Sequence, residues 1–129
     1  MRFLAIDLGL KRIGIAYSPD EKMVSPLKAV VRKNRNQASL EVKTLLNEWD
    51  VEALVVGIPM GGSSEDEMRR RVEHFLNLVD FKGEIFYQDE SDTSLEAEEL
   101  IKGDIKYKRD GRVDSIAAMI ILKRYLKVL

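Results

Sequence analysis

Two short apolar segments, Arg2 to Leu8 and Ala53 to Ile58, constrain this chain more than any other feature of its sequence. Neither alternates between apolar and polar residues, so each reads as a central strand covered on both faces. The first carries Asp7 at its end, and the second stops at Pro59. After a turn through Gly9, Leu10 and Lys11, the segment Arg12 to Ser18 does alternate, with Ile13, Ile15 and Tyr17 on one side and Gly14, Ala16 and Ser18 on the other. The short connection predicts an antiparallel hairpin, and a third strand is expected near Leu27 to Arg32.

Beyond that point the period lengthens. Ala38, Val42, Leu45, Leu46 and Trp49 recur at the spacing of one helical face. Met68, Val72, Phe75, Leu76 and Val79 do the same in a second helix, which Ser64 and Glu67 are expected to open as a capping box. Ile85 to Gln88 reads as a fifth strand, and Thr93 with Glu96 offers a capping box for a short helix. A polar stretch from Lys102 to Gly111 precedes a last, strongly apolar helix from about Arg112 to Lys127. A strand meander followed by alternating strands and helices predicts an α/β fold, a mixed five-stranded sheet flanked by helices, in one domain over residues 1–129.

Composition narrows the chemistry. The sequence has no cysteine and one histidine, so disulfides, thiolate catalysis and Cys- or His-built zinc sites are excluded. A catalytic metal would have to sit on carboxylates, which points to Mg²⁺ or Mn²⁺. There is no leader-like start and no bilayer-length apolar run, so the expectation is a cytoplasmic protein without membrane contact. The net charge of −1 does not announce nucleic-acid binding, yet the charges are clustered. Basic groups gather at Lys11-Arg12, Arg32-Lys33-Arg35, Arg69-Arg70-Arg71 and Lys106 to Arg112, acids at Glu65 to Glu67 and Asp89 to Asp92.

Acids also fall where strands and helices end. Asp7 closes the first strand, Asp89 and Glu90 follow the fifth, and Asp114 lies in the first turn of the last helix. In open sheets ligands collect outside the carboxyl ends of parallel strands, so Asp7 and the Asp89-Glu90 pair are expected to converge there. If one strand separates them, their backbones stand about 10 Å apart, a gap that side chains and one or two cations bridge. Two such ions would suit an in-line phosphodiester displacement, one activating water and the other steadying the leaving oxygen. Each acid also has an ordinary reading: Asp7 as a turn residue, Asp114 as a partner of the helix dipole. One step along a strand reverses the face, so the sequence leaves Asp89 and Glu90 undecided.

Ala5-Ile6-Asp7-Leu8-Gly9 through Lys11-Arg12-Ile13-Gly14-Ile15-Ala16, then Val56-Gly57-Ile58-Pro59, then Asp89-Glu90, then Val113-Asp114-Ser115-Ile116-Ala117-Ala118 resembles, in order, the motifs of the YqgF/RuvX family of Holliday-junction-resolvase-like proteins. The resemblance implies a ribonuclease H-like three-layer fold with strand order 3-2-1-4-5. It also implies a metal-dependent nuclease that matures the 5′ end of pre-16S ribosomal RNA, or, in the older family reading, resolves branched DNA. The implied catalytic residues are Asp7, Asp89, Glu90 and Asp114, with Asp7, Glu90 and Asp114 holding the metal. The family usually has Asp-Glu-Arg, an apolar residue and two threonines, whereas this chain has Asp89-Glu90-Ser91-Asp92-Thr93-Ser94. Lys11, Arg12 or Arg112 is expected to stand in for the missing arginine.

The stretch Lys102 to Gly111 reads either as an ordinary solvated loop or as one that grips the nucleic-acid backbone through Lys106, Lys108 and Arg109, with Tyr107 available to stack on a base. Arg69 to Arg71 reads as the solvated face of its helix, and His74 on the same polar side is not a catalytic candidate. Gly61 to Ser64 has amides that could hold an anion, but it lacks the ending of a phosphate loop. The alternatives are a non-catalytic RNA-binding module and an actin-like or sugar-kinase-like phosphate-binding domain. The latter needs two such domains to enclose a nucleotide. The expected partner is nucleic acid, with the protein itself a monomer or homodimer.

Overall fold

The computed structural model describes residues 1–101 and 111–129. Its elements are β1 (Phe3–Leu8), β2 (Arg12–Ser18), β3 (Ser25–Val31), α1 (Arg35–Glu48), β4 (Ala53–Ile58), α2 (Glu65–Val79), β5 (Glu84–Asp89), α3 (Thr93–Ile101) and α4 (Gly111–Leu126). The strands form one five-stranded sheet in the order β3-β2-β1-β4-β5, as expected. β1 pairs antiparallel with β2 and parallel with β4, and β4 pairs parallel with β5. β1 and β4 are therefore central, which is why both lack alternation, and every residue of β4 is buried.

The two faces of the sheet carry separate cores. Leu4, Ile6, Ile13, Ile15, Leu54, Val56 and Ile58 pack against α1 and α2 through Ala38, Val42, Leu46, Val72, Phe75, Leu76 and Val79. Phe3, Ala5, Ala16, Val55 and Phe86 pack against α4 through Ala118, Ile121, Leu122 and Tyr125. A third cluster, Ala97 with Val113, Ala117 and Ile120, joins α3 to the other side of α4. α4 is thus covered on two sides, which accounts for its nearly unbroken apolar sequence.

Several local expectations are corrected. β3 begins at Ser25 and includes Pro26, which an edge strand accepts because one row of its backbone groups needs no partner. Trp49 is not the last residue of the buried face of α1. It is the C-cap, 40% exposed, with its ring centroid 4.7 Å from that of Tyr17. Asn34 and Gln37 form the capping box of α1. Ser64 makes no capping bond, because its backbone is already helical, with φ −93° and ψ 0°. Glu65 accepts instead from the Gly61 amide at 2.7 Å, so that amide is not open to an anion. Thr93 and Glu96 do not cap reciprocally either: the Thr93 hydroxyl donates to the Glu90 carbonyl, and Glu96 pairs with Arg124.

Candidate active site at the carboxyl rim of the sheet

Strand register decides which acids meet. Asp7 lies two residues beyond Ala5 and so shares the α4 face of β1, where it pairs across the hairpin with Gly14. On β5, Phe86 packs on the α4 side while Ile85 and Tyr87 pack on the other. Continuing that alternation puts Glu90 on the α4 side with Asp7 and turns Asp89 toward α2.

Asp89 is accordingly engaged elsewhere. Its Oδ1 accepts from the Ser91 hydroxyl at 2.7 Å and from the amides of Ser91 and Met60 at 3.1 and 3.2 Å. The Ser91 hydroxyl bond, with help from the Met60 and Ser91 amides, holds its carboxyl below the usual carboxylate range. Glu90 behaves oppositely. Burial, a hydrogen bond shared with Asp7, and the charges of Asp7 and Asp89 push its carboxyl up to about 8. At neutral pH Glu90 therefore keeps its proton and can donate it in the hydrogen bond to Asp7.

Glycines make room for this arrangement. A Cβ at Gly57 would collide with Ile121 Cδ1 and lie 3.0 Å from Glu90 Oε2, so Glu90 lies across β4 where a side chain is missing. A Cβ at Gly14 would run into the backbone carbonyl of Asp114, so the first turn of α4 rests directly on β2 beside the Asp7 pairing position. Ser115, buried on the next residue, accepts from the Ile15 amide at 3.2 Å and fixes that contact. Gly14 and Gly57 were legible signals, because glycine inside a strand marks close approach of another group.

Asp114 is therefore brought to the same rim, but Arg12 meets it. Arg12 Nε donates to Asp114 Oδ2 at 2.7 Å, and the Asp114 side chain is 13% exposed. Arg12 and Arg112, both expected at a nucleic-acid surface, line one groove of about 270 Å³ with Lys28. Lys11 is exposed on the β1–β2 turn and makes no ion pair among the described residues. Lys106, Tyr107, Lys108 and Arg109 lie outside the described residues.

Sequence reasoning missed Arg124, which comes from the last turn of α4. Its guanidinium donates to the carbonyls of Asp89 and Ser91 at 3.3 and 2.9 Å and to Glu96 at 2.7 Å. It ties down the loop that carries Glu90.

A divalent cation can be tested against these groups. Among the described residues no group of three or more acids or histidines is already assembled as a metal site. Asp7 and Glu90 do fit one: they offer only oxygen donors, and they retain a proton where a cation would supply positive charge. Asp114 would join them by exchanging Arg12.

A mixed sheet in this order, layered by helices, with acids at the rim shared by β1, β5 and α4, defines a ribonuclease H-like protein of the Holliday-junction-resolvase type. The fold aligns with Thermus thermophilus RuvC in complex with Holliday junction substrate, at TM-score 0.58 and 13% identity, covering 99% of this chain and 97% of that one. It aligns also with the fowlpox virus Holliday junction resolvase, at TM-score 0.57 and 14% identity, covering 100% of both chains. The chain belongs to the RuvX family, described as Holliday junction resolvase, whose model matches residues 1–128. Relatives bearing the name "Putative pre-16S rRNA nuclease" include one from Sulfurimonas denitrificans, 69% identical over 98% of both chains. Another, from Helicobacter pylori, is 46% identical over 95% of this chain and 92% of its own.

Proposed function

We propose that this protein is a cytoplasmic, divalent-cation-dependent nuclease that matures the 5′ end of pre-16S ribosomal RNA. The observation that carries the reading is the Asp7–Glu90 pair, two hydrogen-bonded carboxyls at the rim where β1 and β5 end. The names of the full-length relatives supply the substrate.

Asp7 and Glu90 would hold Mg²⁺ or Mn²⁺, joined by Asp114. When bound, the cation supplies charge to activate water and to stabilise the leaving oxygen of a phosphodiester. Gly14 and Gly57 let the acids approach, and Arg124 holds the Glu90 loop in place. With Asp114 holding the cation, Arg12 would be free to turn its charge toward a backbone phosphate along the groove it shares with Arg112 and Lys28. That role would replace the arginine that the family has where this chain has Ser91.

The family description favours a second reading, resolution of four-way DNA junctions. Purified protein with Mg²⁺ is given a 5′-extended 16S precursor and a four-way junction, with Asp7→Asn as the control. Precursor cleavage that disappears in Asp7→Asn is expected. Junction cleavage alone would favour the resolvase, and RNA binding without any cleavage would indicate a binding module. Cleavage undiminished in Asp7→Asn would sink the proposed site.

A further inference from the structure

The run Arg69-Arg70-Arg71, expected to be only a solvated helix face, is not uniform. Arg69 is drawn into the fold, pairing with Glu65 at 3.2 Å and lying 5.1 Å from the centre of the Tyr87 ring. Arg70 and Arg71 face a cleft of about 280 Å³ between α2 and the β3–α1 connection, which Arg32, Arg35, His74 and Leu8 also line. Glu67, Arg70, Arg71 and His74 follow one another at helical spacing on this side of α2.

The cleft is built as well as charged. Arg32 donates to the Gly9 carbonyl at 2.6 Å and its guanidinium lies 5.6 Å from the centre of the Phe75 ring, so its position is fixed from two directions. Arg35 Nη1 donates to His74 Nε2 at 2.8 Å, which leaves that imidazole an acceptor and holds Arg35 at the mouth. Among the described residues, none of Arg32, Arg35, Arg70 and Arg71 forms an ion pair, and neither does Glu67, the one acid lining the cleft. The cations instead press on one another: burial and the nearness of Arg71 and Arg35 push the Arg32 guanidinium down from its ordinary value. Four guanidiniums held together with no bound carboxylate among the described residues suit an anion with several oxygens.

Location says which anion. Leu8 lines the cleft and is the neighbour of Asp7 in β1, so their side chains leave opposite faces of the same strand end. The arginines and the acid pair thus occupy the two sides of one rim, separated by the β1–β2 turn. We propose that this cleft seats backbone phosphates of the nucleic-acid substrate, away from the bond being cut, as the strand passes over the rim. The inference rests on the nuclease reading and adds a second contact region to it, one that works through affinity and register.

The test is fluorescence anisotropy with a labelled single-stranded RNA in EDTA, so that binding is read without cleavage. The double variant Arg70→Ala/Arg71→Ala alters two exposed side chains. Lys43→Ala/Lys82→Ala removes the same charge near the start of β5, at the other end of the sheet. If two phosphates are lost, the slope of log affinity against log salt becomes shallower by about 1.4 in the first variant. At low salt its affinity falls at least tenfold, and the lysine control moves far less. With Mg²⁺ restored, KM rises while kcat stays near the parent's value. Equal slopes in parent and arginine variant, or an equal loss in the lysine control, overturn the proposal while parental cleavage keeps the nuclease reading intact. A thermal shift with inorganic phosphate that vanishes in the arginine variant, while RNA affinity does not change, would identify a free-phosphate site and also overturn it. If the parent binds no nucleic acid, both inferences fall together.

Discussion

Replacing Glu90 with glutamine isolates the electrostatics of the rim. In the folded protein Glu90 titrates near 8, while in the unfolded chain it returns to its ordinary 4.5. Between those values the folded state keeps a proton that the unfolded state has released, so stability falls as pH rises, by at most about 1.4 kcal/mol per pH unit. Below pH 4.5 both states are protonated, and above 8 both are ionised, so the effect is confined to that window. Over the whole window the ceiling is roughly 5 kcal/mol, and solvent reaching the rim reduces the expected loss to about 2 kcal/mol. The amide of Glu90→Gln can still donate to Asp7 but has no proton to lose. Urea unfolding in EDTA at pH 5, 6.5 and 8.5 measures the difference between parent and variant, so that every other titrating group cancels. The variant should match the parent at pH 5 and exceed it by about 2 kcal/mol at pH 8.5. A difference that stays constant across that range would refute the retained-proton account. In the same variant nuclease activity should be lost, which separates what Glu90 does for stability from what it does for chemistry.

Three further substitutions probe how the rim is built. Gly14→Ala should destabilise more than Gly57→Ala, which costs about 1–3 kcal/mol, because the first meets the Asp114 backbone and the second the end of the Ile121 side chain; thermal melting ranks them. Arg124→Ala removes two hydrogen bonds from the Glu90 loop and a third from Glu96 of α3, so faster amide exchange at Ser91 and Thr93 and a lower kcat are expected, whereas unchanged exchange would deny Arg124 its positioning role. Arg12→Ala leaves Asp114 without the guanidinium that meets it, so Mn²⁺ should bind more tightly by magnetic-resonance titration while RNA affinity falls.

Much of this architecture was readable in the residues because short apolar runs without alternation, bounded by turn residues, mark strands buried on both faces. The unbroken runs at β1 and β4 announced central strands, and the shift from a period of two to one near four located α1 and α2. Cap chemistry was less legible. Ser64 and Thr93 have the right residues three positions ahead of an acid, but backbone angles decide whether a cap forms, and neither Ser64 nor Thr93 forms one. The choice between Asp89 and Glu90 was beyond the sequence, since it depends on which residue of β5 lies opposite β4. Once Ile58 is paired with Asp89, the face of Glu90 follows. The arginine cleft was hidden for a similar reason: Arg32 comes from the β3–α1 connection, Arg35 from α1 and Arg70-Arg71 from α2, and only the packing of α2 beside α1 brings them together.

The rim acids are each met in a different way. Asp114 is answered by Arg12, Asp89 by the Ser91 hydroxyl and two amides, and Glu90 by a retained proton and its hydrogen bond with Asp7. These solutions differ in how easily they are undone. The Asp89 bonds come from its own turn at Ser91 and from the Met60 amide beyond β4, neither an exchangeable partner, which suits a residue that shapes the loop. A proton and a guanidinium can each be replaced by a divalent ion, and replacing the proton ties cation affinity to pH. Affinity for Mg²⁺ should therefore rise up to tenfold per pH unit below about 8 and level off above it, with one proton released per ion bound. Calorimetry in two buffers of different ionisation enthalpy reads that proton directly. Its absence at pH 7 would mean that Glu90 is not a ligand, even if the nuclease assignment stands.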